Sequence, residues 1–197
     1  TAMGLGTMLA PAAEAKPYDP MPAKWDETYD VVVIGSGFAG LAAAIEAKAA
    51  GSTVAVLEKT PTYGGNSIIN GGILSVPGNA PQKALGVKDS PQLLAEDIIR
   101  EGQGLNYPEK VKLMAREWTV KTLGVEYMDK VGQEGGHSVP RFLYTKNGSG
   151  SAIVQKEVDY LAKQGVKVRT RCYVETIIRD ADGRVKGLKV WDGYRFP

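Results

Sequence analysis

The 197 residues suffice for one well-buried domain, and 43% apolar with 23% charged residues is the balance of a soluble globular fold. Twenty-four basic against 22 acidic residues leave a formal charge of +2 with no long run of like charge, which argues against nucleic acid as a partner. With one cysteine, Cys172, and one histidine, His137, the sequence offers no internal disulfide, no Cys-x-x-Cys pair, no c-type haem attachment and no metal site built on several imidazoles. Cys172 stands beside a β-rich run and reads as a small buried apolar group rather than a reactive thiol.

Residues 1–15 are rich in Ala, Leu, Met and Gly and end in Ala13-Glu14-Ala15, the small-x-small form of a signal-peptidase site. Their apolar part is too short to span a bilayer, so an exported, periplasmic protein is expected; the missing basic n-region leaves a flexible Ala-rich tail as the alternative. Pro17, Pro20 and Pro22 mark residues 16–27 as a linker, and the domain is expected to start after it, over 28–197.

Tyr29 to Ile34 carries Val31-Val32-Val33-Ile34 without alternation, the pattern of a strand buried on both faces of a parallel sheet. Phe38 to Ala50 is an Ala-rich helix, with Gly51 where a C-terminal glycine belongs, and Thr53 to Leu57 is a second buried strand ending at Glu58. The unit is βαβ. Thr62 to Gly78 reads as a Gly- and Asn-rich loop with at most short turns. Ser90-Pro91 starts a helix to about Arg100, and Asn106-x-Pro108 starts a longer one ending near Gly132. A second glycine loop, Gly132 to Gly150, leads into a helix from Ser151 to Lys163 with Ile153, Val154, Val158 and Leu161 on one stripe. Val166 to Arg171, Val174 to Arg179 and Val185 to Val190 are β-rich, the last two joined by the turn Asp180 to Gly183 as a hairpin. The expected class is α/β, a Rossmann-like parallel sheet with a β-hairpin or meander near the C-terminus.

Gly35-Ser-Gly37-Phe38-Ala39-Gly40 matches G-x-G-x-x-G, a weak signal alone in a chain with 24 glycines. Its position strengthens it, because it follows a buried strand, opens a helix, and is followed 18 residues later by an acid closing the next strand. Gly35 permits the tight turn, Gly37 lets backbone approach a pyrophosphate, and Gly40 lets helix and strand pack closely. The helix N-terminus faces the phosphates with its free N–H groups. Glu58 accepts from adenosine ribose hydroxyls and repels a 2′-phosphate, which disfavours NADP. Both FAD and NAD contain this ADP half. The segment after Glu58-Lys59, with Gly64-Gly65-Asn66-Ser67 and Asn70-Gly71-Gly72, offers many backbone N–H groups to a bulkier ligand, where an NAD domain more often enters a second crossover helix.

With these residues the chain resembles the fumarate reductase and succinate dehydrogenase flavoprotein superfamily, and within it the soluble flavocytochrome c type fumarate reductases. The resemblance runs from Asp30 to about Val190. It is carried by Val-Val-Val-Ile-Gly-Ser-Gly-Phe-Ala-Gly, Leu57-Glu58-Lys59, the two glycine clusters at 64–67 and 71–73, and Gly135-Gly136-His137-Ser138-Val-Pro-Arg141. It implies FAD lying along Gly64, Gly65, Asn66, Ser67, Gly71 and Gly72, with adenine near the backbone of Val174. The histidine that binds FAD covalently in succinate dehydrogenase-like members is matched by Gly65, so non-covalent FAD is expected.

By the same resemblance, a hydride passes from the flavin to a carbon–carbon double bond while an arginine outside these 197 residues donates the proton. No catalytic residue is therefore assigned here; His137 and Arg141 are candidates to contact a small anionic substrate, or loop residues that pack or face solvent. A capping domain and a C-terminal flavin segment are expected outside this sequence, a second chain being another way to complete the flavin site. Electrons are expected from a c-type cytochrome or another donor. The competing readings are a ketosteroid dehydrogenase or aspartate oxidase-like flavoenzyme, and a non-catalytic FAD-binding or electron-transfer fragment.

Overall fold

The structure, a computed structural model, describes residues 20–112 and 123–195. The leader-like residues 1–15 and the first part of the Pro-rich stretch lie outside them. Its centre is a parallel sheet in which β2 (Val54–Leu57) lies between β1 (Val31–Ile34) and β5 (Val168–Arg169). The register pairs Val31 with Val54 and Ile34 with Leu57, and Val56 with Val168. The connection between β1 and β2 is α1 (Phe38–Ala49), which ends at Ala50 and hands over to Gly51 at φ +89°, a left-handed turn that suits glycine. The expected βαβ unit is thus formed. A second helix, α5 (Ser151–Lys163), precedes β5 and packs beside α1 on the same face of the sheet. Leu41, Ala44 and Ile45 of α1, Val54 and Val56 of β2, and Val154 and Leu161 of α5 make one apolar core with Val33.

The other face is less covered than the sequence pattern implies. β1 alternates, with Val33 buried while Val32 and Ile34 are 37% and 52% exposed. Only β2, central in the sheet, is buried along its whole length. On that side stands the hairpin of β6 (Cys172–Arg179) and β7 (Val185–Asp192), antiparallel and with two register irregularities. A cavity of about 690 Å³ between sheet and hairpin is lined by Val32, Ala55, Leu57, Leu188 and Trp25. Residues 20–27 hold no helix or strand, in keeping with their prolines, yet they pack on the domain. Trp25 lies so close to Gly187 that any Cβ there would overlap its ring, and Glu27 pairs with Arg169 at 2.8 Å.

Two strands fall inside the expected loops. β3 (Ile73–Ser75) and β4 (Phe142–Tyr144) pair antiparallel, tying the first glycine loop to the second. A five-residue helix, α2 (Ala80–Ala84), starts from a capping box in which Asn79 and Gln82 satisfy each other's backbone N–H groups. Helix α3 (Pro91–Glu101) starts as expected, the Ser90 hydroxyl accepting from Leu93 N–H at 3.0 Å. Helix α4 (Pro108–Lys112) follows Asn106, but the stretch does not run to Gly132 as expected. It has ended by Gly124, where φ is +66°, and the residues that follow are extended; 113–122 lie outside the described residues. Cys172 is buried, as read.

Arg141, a candidate for substrate contact, has a different place. Its side chain is fully buried, and every guanidinium nitrogen is committed to protein groups. Nε and Nη2 donate to the two oxygens of Asp89 at 2.9 Å, and Nη1 donates to Asp97 Oδ2 at 2.5 Å. The same Nη1 lies 2.7 Å from His137 Nδ1, and an arginine has no acceptor, so that ring nitrogen is unprotonated and accepts. Burial and the neighbouring cation both hold the His137 pKa below its ordinary value. Asp97 takes further bonds from Ser138 and from Arg100; burial opposes its charge, but these donors and Arg141 outweigh it and keep its carboxyl well below the usual range. The cluster fastens the Gly135–Arg141 loop to α3 and the segment before it, and it leaves Arg141 no face for a substrate.

Inside the helical stripe of α5 sits an outlier, Glu157, which is 2% exposed and whose Oε2 has no hydrogen-bond partner among the described residues. Burial pushes its pKa up to about 8.

Two measurements check this account of the interior. Arg141→Met leaves Asp89 buried without a cation and Asp97 with only the half-exposed Arg100, and should cost about 3–5 kcal/mol in denaturant melts; a loss below about 1 kcal/mol contradicts the clamp. For Glu157, the unfolded carboxyl releases its proton near pH 4.5 while the folded one holds it to about 8, so stability falls as pH rises between these values, at about 1.4 kcal/mol per pH unit. Glu157→Gln removes that slope, so relative to the parent it should gain on the order of 3 kcal/mol between pH 5 and 8; parallel pH profiles would rule the buried acid out.

Candidate dinucleotide site

The site is assembled where β1 turns into α1, directly beside the end of β2. Gly35 takes φ +95°, where a side chain would be strained, and its N–H donates to the Leu57 carbonyl at 2.8 Å, locking the turn to the neighbouring strand. Gly40 sits one turn later, with Phe38 and Ala39 before it, and a Cβ there would overlap the carbonyl oxygen of Gly35. Helix and turn therefore approach each other only because position 40 has no side chain. Gly37 is the N-cap and supplies no capping side chain, and no acid lies in the first turn, so the positive end of α1 is left uncompensated by its own residues. A Cβ on Gly37 would press on Ser67 Oγ at 3.2 Å, and that hydroxyl accepts the Phe38 N–H at 3.0 Å. The glycine loop thus crosses the mouth of the helix.

Glu58 closes β2 and is 6% exposed. Its Oε2 accepts from both the N–H (3.1 Å) and the hydroxyl (2.7 Å) of Ser36, and its Oε1 accepts from the N–H and hydroxyl of Thr60, both at 2.9 Å. Burial works against ionisation, but these four donors outweigh it and hold the carboxyl below its ordinary pKa. One of these four donors has an alternative acceptor. The Thr60 hydroxyl has one proton and two acceptors in reach, Glu58 Oε1 and the Thr62 carbonyl. When that proton turns to Thr62, Oε1 is freed toward an incoming donor. Lys59, next to it, is exposed.

The loop that follows is braced from below. Gly64 is buried at φ +100°, and its N–H donates to Ser36 Oγ at 2.9 Å. Gly65, Asn66 and Ser67 form a 3₁₀ turn with Gly65 and Asn66 exposed. Asn70 donates to the Ser67 carbonyl and accepts from Gly72 N–H, both at 2.7 Å. Gly71 is exposed, whereas Gly72 is buried so tightly that a Cβ would overlap Thr145 Oγ1. The second glycine loop lies against the first, Gly150 N–H donating to the Asn70 carbonyl at 2.8 Å. Val174 stands in β6, two residues after Cys172, whose N–H donates to the Glu58 carbonyl at 2.9 Å, so the hairpin is rooted at the acidic end of the site. His137 and Arg141 belong to the separate clamp beyond the far end of β4 and are not brought to this cradle. Ser36 and Asn70 are the supporting residues that motif reading passed over; a polar residue at an x position of the glycine fingerprint, and an Asn two residues before a buried glycine, were the available signals.

A diphosphate-linked adenosine fits what is here: a helix mouth that a Cβ would fill, and a carboxylate with a releasable acceptor. Comparison with known proteins agrees. Residues 30–195 match the FAD binding domain family. The acrylate reductase flavoprotein subunit of Shewanella woodyi is 38% identical over 97% of this chain, and the urocanate reductase of Eggerthella lenta is 39% identical over 81%. A solved open conformation of a flavocytochrome c3 fumarate reductase superposes with a TM-score of 0.76 at 31% identity, covering 84% of this chain. The chain spans 39%, 28% and 30% of the length of these three proteins. Since the match takes in the whole βαβ unit, both glycine loops and the hairpin, the chain belongs to the FAD binding domain family, and FAD is its cofactor.

Proposed function

We propose that the chain is the part of a flavin-dependent reductase of α,β-unsaturated carboxylates that holds the ADP half of FAD, without a covalent bond, and lays the Gly64 to Gly72 loop along the rest of the cofactor. The observation that carries the first half of this reading is the junction of Gly35, Gly37, Gly40 and Glu58, where a helix N-terminus and a buried carboxylate stand one strand apart. The substrate class is supported by the named relatives: acrylate, urocanate and fumarate each hold a carbon–carbon double bond conjugated to a carboxylate. When bound and reduced by an electron donor, FAD would supply the hydride for such a bond; this chain's residues bind and orient the cofactor. The non-covalent state is supported by Gly65 at the position of the attaching histidine.

Arg141 is sealed in its clamp, so neither a substrate contact nor the proton donor is assigned to it. A c-type cytochrome as electron donor, in an exported protein, accords with the flavocytochrome neighbour and with the leader-like composition of residues 1–15.

Titration of the chain with FAD should show one equivalent bound, all of it released by acid. Glu58→Gln should weaken binding about tenfold or more, the scale of a lost hydrogen bond to a charged group. Glu175→Gln, a surface control in the hairpin, should change it less than twofold. A chain that takes up no FAD, or one in which both substitutions act alike, contradicts the reading.

A further inference from the structure

Resting on the reading that Glu58 meets the adenosine ribose, we propose that Ser36 is the positioning residue of the site, its one buried hydroxyl both orienting the Glu58 carboxylate and fastening the Gly64 loop. Ser36 is fully buried, and its hydroxyl uses both its capacities: the proton goes to Glu58 Oε2 at 2.7 Å, and a lone pair takes the Gly64 N–H at 2.9 Å. Its own N–H reaches the same Oε2 at 3.1 Å. Three chain segments that are 22 and 28 residues apart in sequence are joined at one oxygen atom.

The arrangement separates the two oxygens of Glu58. Oε2 is held from inside by two donors of one residue whose positions are fixed by the Gly35 turn. Oε1 is held by Thr60, whose hydroxyl has the Thr62 carbonyl as a second acceptor. Ser36 therefore anchors the oxygen that stays, and Oε1 is the oxygen that exchanges a protein donor for a ribose hydroxyl. The same hydroxyl, by capping the N–H of Gly64 at φ +100°, sets where the loop begins its course across the mouth of α1. Without it Oε2 keeps one backbone donor, the carboxylate is held mainly from the Thr60 side, and the loop loses its first fixed point. The donated proton also favours the ionised carboxylate, along with Thr60 and against burial, so Ser36 helps keep Glu58 an acceptor.

The test is FAD titration of the whole chain with Ser36→Ala, Ser36→Thr, Glu58→Gln and the Ser36→Ala/Glu58→Gln pair, with thermal melts of the FAD-free forms. Ser36→Ala should fold, melt somewhat lower, and bind FAD about tenfold or more weakly. Its loss of affinity on acidification should begin at higher pH than in the parent, because the carboxylate has lost a donor. Ser36→Thr restores the hydroxyl and should recover much of the affinity. In the Glu58→Gln background Ser36→Ala should cost clearly less than it does alone, since part of its action runs through the carboxylate. The inference is overturned if Ser36→Ala binds FAD like the parent, if its acid limb does not move, if its cost is undiminished beside Glu58→Gln, or if the alanine chain fails to fold. A parent chain that binds no FAD overturns the underlying reading instead, and this inference with it.

Discussion

The carboxylate of Glu58 is the point on which the site depends. A buried acid costs free energy unless it is hydrogen-bonded, and here four donors from Ser36 and Thr60 meet it at the end of the central strand. Those donors come from two separate segments, the turn into α1 and the start of the glycine loop. Satisfying the acid therefore also sets the spacing between the helix mouth and this carboxylate. The glycines act on the same geometry by subtraction: Gly40 lets α1 close on the turn, and Gly72 and Gly150 let two loops stack with backbone against backbone. Much of the specificity of this region lies in atoms that are absent.

A second polar junction, around Arg141, does for the β3–β4 ladder what Glu58 does for the parallel sheet. The two are of opposite kind. Glu58 keeps one acceptor that can change partners, as a ligand site requires. Arg141 has none to spare, its donors being matched to Asp89 and Asp97 with His137 closing the remaining side. An arginine on a glycine-rich loop invites assignment to an anionic substrate, but here the geometry shows a charge buried for architecture.

The parts of this fold with a periodic or positional signal were legible in the sequence. The βαβ unit, the Ser90-Pro91 helix start, α5 and the hairpin around Asp180 to Gly183 follow from buried runs, caps and turn residues acting locally. β3 and β4 were not legible, because three-residue strands inside glycine loops have no period to detect and exist through their pairing. The exposure of Val32 and Ile34 was equally hidden: an apolar run shows that a strand avoids water, and only the packing shows which face is covered. Glu157 is invisible for a similar reason, since a single acid on an apolar stripe looks like its solvent edge until the packing around it is seen. Of the site, the glycines and Glu58 were readable as a spacing, whereas the role of Ser36 appears only when three separated segments meet.

The central claim is that an ADP-containing cofactor lies on the mouth of α1 with its ribose at Glu58. Amide hydrogen exchange of the chain with and without FAD tests this most directly. The account predicts slowed exchange concentrated at residues 35–40 and 58–67, with the Arg141 clamp unchanged. Protection absent from both stretches, or confined to the hairpin or the clamp, would contradict it.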